Sequence, residues 1–169
     1  LGGEAGNLQT QIRDQRLEPT GREVAVVGAG PTGLACAYYL ALFGHSVVVY
    51  DSRPAAGGML RYALPEYRLP KAVLDKEIEL IERMGVRFEF DVNVGENPTL
   101  NDLAHQYDSV FLAIGTWKEA WVYLPGTELT GVIPALPFLE AMSRDQAVPV
   151  RKKVVVIGGG NAAIDSART

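Results

Sequence analysis

Apolar and polar positions change their period several times along this chain. Residues 1–20 are polar, with Leu8, Ile12 and Leu17 as scattered anchors, and predict one short helix at most. A linker follows at Glu18, Pro19, Thr20 and Gly21. Val24, Ala25, Val26 and Val27 then form an unbroken apolar run, the pattern of a strand covered on both faces in a parallel sheet. Residues 31–43 predict a helix with Pro31 in its first turn and Gly44 at its end. Val47, Val48, Val49 and Tyr50 are a second buried strand, so residues 24–50 make a βαβ unit.

Residues 52–70 contain three prolines and two glycines and predict a long loop of the kind usually kept for function. Residues 71–84 are amphipathic, with Val73, Leu74, Ile78, Ile81 and Met84 assigned to the buried face and Gly85 closing the helix. Strands are predicted at 86–90 and 109–114, with a short helix near 99–106 between them. A further helix is expected at 135–143. Val154, Val155, Val156 and Ile157 are a last apolar run, predicted as a buried strand that leads into glycines and the start of another helix. Alternating strands and helices of this kind predict an α/β fold with a parallel sheet.

The glycines carry the chemistry. Gly28-Ala29-Gly30-Pro31-Thr32-Gly33 is a GxGxxG placed between a strand and a helix. In such a turn the first glycine bends the chain, the second lets the backbone approach a pyrophosphate, and the third lets helix pack on strand. The pyrophosphate then rests on the positive end of the helix. Asp51 ends the second strand 23 residues after Gly28, where a carboxylate can accept bonds from ribose hydroxyls. Gly158-Gly159-Gly160-Asn161-Ala162-Ala163 repeats the fingerprint 130 residues later, with alanine at the third position. Two dinucleotide fingerprints in one chain suggest one cofactor that delivers electrons and one that receives them. Gly57-Gly58 stands six residues beyond the acid, and the strand at 110–114 ends in Gly115-Thr116; these are the features that bear on flavin against nicotinamide at the first site.

Composition narrows the rest. The chain has 169 residues, is 47% apolar and 21% charged, and carries a net charge of −4, which argues against nucleic acid or an anionic membrane as the main partner. No apolar run approaches the ~18 residues of a spanning helix. A single cysteine allows no disulfide framework and no CxxC dithiol, and suggests a reducing, cytoplasmic setting. With two histidines and that one cysteine, no metal site is expected. Cys36 is expected to be a small buried hydrophobe, His45 a surface or helix-end residue, and His105 a residue on a short helix face. Glu79 and Arg83 are spaced for an i,i+4 pair. Trp117 and Trp121 fit either a core cap or a platform for a ring. No catalytic side-chain constellation can be assembled.

The run from VAVVGAGPTGLACAYYLALFGHSVVVYD through GGML and ALPEYRLP, then LAIGT, LPGTELTGV and VVVIGGGNAAIDSART, resembles the glutamate synthase small-subunit-like oxidoreductases. These belong to the flavoproteins with two dinucleotide-binding domains, and the resemblance covers residues 22–169. It implies a Rossmann-like FAD-binding domain at 21–125 after a linker segment at 1–20. It also implies the truncated start of a second Rossmann-like, NAD(P)-binding domain at 126–169. FAD would lie on Gly28, Gly30, Pro31, Thr32 and Gly33, with Asp51 at the adenosine ribose and Ser52 and Arg53 among the cofactor-binding residues. Gly58, Met59, Leu60 and Arg68 would follow the flavin end, Val94 the adenine, and Gly115 and Thr116 the flavin phosphates. Gly158, Gly160, Asn161 and Ala162 would serve NAD(P)H, with Asp165 facing the flavin. The family shows Glu where this chain has Asp51, and Thr where it has Ile114. Its iron–sulfur domain has no counterpart in these residues, so an iron–sulfur domain or subunit is an expected partner, and a dimer is possible. The alternative is a dinucleotide-binding or subunit-docking module without enzymatic activity.

Overall fold

The computed structural model describes residues 16–118 and 124–169. By contact the chain divides into two compact units, Leu1–Gly58 with Ala72–Gly115, and Met59–Lys71 with Thr116–Thr169. The short helix expected before residue 16, and Trp121, lie outside the described residues.

The first unit holds a four-stranded sheet in the order β3-β2-β1-β4, made of β1 (Glu23–Val27), β2 (Ser46–Tyr50), β3 (Arg87–Glu89) and β4 (Ser109–Leu112). Every pairing is parallel: Val24 lies opposite both Val47 and Ser109, and Val48 opposite Arg87. The central strands β1 and β2 are the two unbroken apolar runs. Ala25, Val26 and Val49 are fully buried, as strands covered on both faces must be. Helix α1 (Pro31–Leu42) packs on β2 and β1 through Gly33, Leu34, Ala37 and Ala41, mostly small residues that permit close approach. It ends at Gly44, whose φ of 82° a side chain would strain. The extended segment 16–20 runs along that end: Leu17 N–H donates to the Leu42 carbonyl at 2.9 Å and Arg16 Nε to the Ala41 carbonyl at 2.9 Å.

On the other face, Ala25, Val27 and Val48 pack with Leu103 and Tyr107, flanked by Tyr50, Val94 and Val110. Leu103 comes from helix α4 (Leu100–Gln106), which starts at a capping box formed by Thr99 and Asp102. Helix α3 (Lys71–Arg83) buries Leu74, Ile78 and Ile81, with Met84 just beyond it, and Glu79 and Arg83 pair at 3.1 Å. The second unit contains α2 (Met59–Tyr62), α5 (Ala135–Ser143) and α6 (Asn161–Arg168), with α5 packed against both others.

Four expectations need correction. Val154, Val155, Val156 and Ile157 form no strand; they are exposed, Val155 by 87%. An apolar run becomes a parallel strand only beside another strand, and among the described residues nothing pairs with it. Val73 is 49% exposed because the buried row of α3 runs 74, 78, 81, one position away. β4 ends at Leu112 instead of 114 and is only partly covered, since it is an edge strand with a single neighbour. Within the 52–70 loop, residues 59–62 form one helical turn that the surrounding prolines and glycines conceal.

Candidate functional site: two glycine turns

At the carboxyl end of β1 the chain turns at Gly28, whose φ is 107°. The turn is clamped from both neighbouring strands: Gly28 N–H donates to the Tyr50 carbonyl at 2.7 Å, and Ala113 N–H to the Val27 carbonyl at 2.7 Å. A Cβ on Gly28 would be driven into the Ala113 carbonyl, and one on Gly33 into the Gly28 carbonyl. Packing alone therefore demands glycine at both positions. Gly30 differs, because the nearest atom to a Cβ there would be the Gly58 Cα at 3.9 Å. Among the described residues a Cβ at Gly30 would make only an ordinary contact, so packing does not by itself demand glycine there.

Gly57 and Gly58 form a wall beside Gly30. Gly57 N–H donates to the Ala29 carbonyl at 2.8 Å, and a Cβ on Gly58 would stand 2.7 Å from the Gly30 Cα. Asp51, at the end of β2, accepts from the Ala29 amide at 2.7 Å and the Arg53 amide at 2.9 Å, one bond to each oxygen. A carboxylate has about four acceptor positions, so a lone pair on each oxygen is left for a diol. Ser52 is exposed beside it, Arg53 is half-buried, and Pro31 and Thr32 lie exposed on the first turn of α1. Gly115, with a φ of 69°, follows β4 at the same carboxyl edge of the sheet. In open parallel sheets that edge is where ligands sit. Val94 is half-buried and packs against the core cluster that contains Leu103 of α4.

In the second unit Gly158 has a φ of 125°, and Gly160 is the N-cap of α6 at φ −79° and ψ 175°. Gly30 is the N-cap of α1 at φ −78° and ψ −176°. The two fingerprints thus share one backbone shape: a left-handed first glycine, an extended second glycine, and a helix start that no side chain caps. Uncapped helix starts present free N–H groups to an anion. Among the described residues nothing beyond the immediate chain neighbours lies within 4 Å of a Cβ built on Gly159 or Gly160, and Asn161 and Ala162 are exposed. Thr116, also in this unit, is exposed.

Sequence reasoning missed how segment 59–71 is held. Lys71 Nζ donates to the carbonyls of Leu60 at 2.8 Å and Leu64 at 2.5 Å, closing the end of α2, and burial pulls its pKa down. Asp165 is 2% exposed and accepts from the Tyr67 hydroxyl and from Arg68 Nε, each at 2.5 Å. Arg168 lies over the Tyr67 ring at 4.0 Å, and Arg144 of α5 over the Tyr62 ring at 4.9 Å. Burial opposes the charge on Asp165, but the hydrogen bonds from Tyr67 and Arg68 and the nearby arginine charges outweigh it and hold the carboxyl below its ordinary pKa.

Cys36 is half-buried, its thiol pushed up by burial, beside a cavity with Arg22, His45 and Asp108. His45 Nδ1 meets the Thr20 hydroxyl at 2.7 Å, and His105 Nδ1 meets the Asn101 carbonyl at 2.7 Å. Among the described residues no cluster of three or more His, Cys, Asp or Glu side chains could hold a metal, and no helix is long and apolar enough to cross a membrane.

A parallel sheet with a glycine turn and an acid at its carboxyl edge, and a second glycine turn of the same shape, defines a dinucleotide-binding α/β protein. More particularly, the chain belongs to the pyridine nucleotide-disulphide oxidoreductase family, whose pattern it matches over residues 22–169. It is 37% identical to the glutamate synthase [NADPH] small chain of Escherichia coli over 97% of its own length and 39% of that protein's. It is 39% identical to the NADP(+)-dependent formate dehydrogenase subunit beta of Moorella thermoacetica, covering 99% of this chain and 23% of that one. Mycobacterium tuberculosis FprA in complex with NADPH superposes with a TM-score of 0.65 at 25% identity, over 73% of this chain and 29% of FprA. The chain spans well under half the length of these relatives.

Proposed function

We propose that this chain is the FAD-binding part, with the beginning of the NAD(P)H-binding part, of an oxidoreductase that passes electrons between NAD(P)H and FAD. The observation that supports it most is the repeated glycine turn, whose second glycine, Gly30, is not required by packing. In this reading the free N–H groups at the start of α1, with Gly28 to Gly33, take the pyrophosphate of FAD, and Asp51, with Ser52 and Arg53 beside it, takes the ribose. Val94 lies near the adenine, Gly115 and Thr116 near the flavin phosphates, and Gly58, Met59, Leu60 and Arg68 along the flavin end. Gly158, Gly160, Asn161 and Ala162 take the nicotinamide dinucleotide. The domains run 21–125 and 126–169, behind a linker at 1–20. When bound, the flavin supplies the hydride chemistry, and the protein's share is orientation and electrostatics. That share needs no acid or base from the chain. The electrons then pass to an acceptor, by way of iron–sulfur clusters on another domain or subunit, in the manner of a glutamate synthase small chain in the cytoplasm.

Titration with FAD followed by flavin fluorescence tests this. Saturable one-to-one binding is expected, and Gly30→Val should abolish it while the circular dichroism spectrum stays unchanged. A folded Gly30→Val variant that keeps FAD overturns the placement. Binding of NAD(H) in place of FAD at the first turn would make the chain a plain dinucleotide module.

A further inference from the structure

We infer that Asp165 is a positioning residue, which acts through Tyr67 and Arg68 to set the shape of segment 59–71. Asp165 belongs to α6, the helix that opens at the second glycine turn, while Tyr67 and Arg68 belong to the segment that follows the Gly57-Gly58 wall of the first. The inference rests on the functional reading above for one point only, that Met59, Leu60 and Arg68 serve the flavin end.

The geometry assigns this role over direct contact with a cofactor. The carboxylate of Asp165 is buried, and a single oxygen of it accepts both the Tyr67 hydroxyl and Arg68 Nε. Arg168, one turn further along α6, covers the Tyr67 ring. Tyr67 and Arg68 have little else to order them. They sit in a turn between Pro65 and Pro70 whose own bonds are Arg68 N–H and Leu69 N–H, both donating to the Pro65 carbonyl at 3.0 and 3.2 Å. Lys71 fastens the other side of the segment through the carbonyls of Leu60 and Leu64. Arg144 of α5 lies over the Tyr62 ring at the start of segment 59–71, and Asp165 holds its Tyr67–Arg68 end from a distant part of the sequence. Removing the Asp165 carboxylate takes away the one acceptor that Tyr67 and Arg68 share, and these two side chains then turn to solvent instead of to α6. Loss of the tie should therefore loosen the turn around Arg68 first.

The test is amide hydrogen exchange on the whole chain, wild type against Asp165→Ala, Asp165→Asn and Tyr67→Phe. Asp165→Ala is expected to speed exchange at Arg68 and Leu69 by about tenfold or more, which corresponds to a local opening easier by ~1.4 kcal/mol. Asp165→Asn, which keeps an acceptor, should fall between the two, and Tyr67→Phe, which leaves the carboxylate intact and is the safer variant for folding, should give a smaller rise. Exchange in β1, β2 and α5 should not change. FAD affinity should drop in the same rank order as exchange rises. Unchanged exchange at Arg68 and Leu69 in Asp165→Ala overturns the inference. So does an equal rise throughout α5, which would make Asp165 merely structural, or an FAD affinity indifferent to a loosened turn. If the wild-type chain takes up no FAD, the functional reading falls, and the exchange rates by themselves uphold or overturn the fastening by Asp165.

Discussion

Gly28, Gly30 and Gly33 occupy one turn and answer to different forces. At Gly28 a side chain would meet the Ala113 carbonyl and would have to adopt a φ of 107°; at Gly33 it would meet the Gly28 carbonyl. Forcing atoms into packed backbone costs ~1–3 kcal/mol or more, and left-handed backbone adds ~1–2 kcal/mol for most residues. Gly28→Ala and Gly33→Ala are therefore expected to lower the thermal midpoint strongly. Gly30→Ala should change stability by about 1 kcal/mol at most, the scale of an N-cap substitution, because the nearest protein atom stays 3.9 Å away. If Gly30→Ala destabilises as much as Gly28→Ala, packing demands glycine at Gly30 as well. Circular dichroism melts of the three variants decide this. The spacing of the motif marks all three glycines alike; only the surroundings separate the two that packing demands from the one that it does not. Asp51 shows the same limit. Its place after β2 was legible, while its bond to the Ala29 amide, which braces the turn from inside, depends on how two strand ends meet.

Among the elements, those whose signal is local were the most legible. Helix α5 falls on residues 135–143 as its pattern predicts, and α1, α3 and both central strands lie within a residue or two of their expected ends. Their caps and apolar periods are written into adjacent residues. Helix α3 allows a direct check on the face assignment. Ile78→Ala should cost ~2–5 kcal/mol, the usual large-to-small core penalty, whereas Glu79→Ala, on the exposed side, should stay within ~0.5 kcal/mol. Urea unfolding of the pair reads the difference, and a reversed order would mean that α3 presents its other face to the core. Residues 154–157 mark where local pattern stops being sufficient. Their composition is that of a central strand, yet strand formation is a property of neighbours. An exposed run of three valines and an isoleucine is an apolar patch of the kind that favours association between chains. Sedimentation velocity is expected to show self-association that rises with concentration and is suppressed by Val155→Lys. A chain that stays monomeric at high concentration would show that this run is not an association surface.

For the molecule as a whole, the carboxylates set the response to acid, and they are spread over both units. Asp108 accepts from the Glu23 amide at 2.8 Å and from Arg22 at 2.6 Å; these bonds, the amide's first, hold its pKa down. Asp102 is lowered by the Thr99 hydroxyl and amide in the capping box of α4, and Asp165 by Tyr67 and Arg68 against the cost of burial. Each is an acid whose folded pKa lies below its unfolded value of ~3.9. Such a group favours the folded state fully above the unfolded pKa, and that contribution is lost as pH falls through the lower, folded one. The thermal midpoint should therefore be level with respect to these three groups from about pH 7 to about pH 5 and then fall steeply below about pH 4. Asp108→Asn and Asp165→Asn should each lower the midpoint at neutral pH and make the acid limb shallower, because the variant no longer has a proton to gain. Asp108 belongs to the first unit and Asp165 to the second, so the double variant should flatten the limb by the sum of the two effects, as independent sites do. Melts from pH 7 to pH 3 measure all of this directly. An acid limb unchanged in Asp165→Asn would mean that its carboxylate gains no more from Tyr67 and Arg68 than it loses by leaving water.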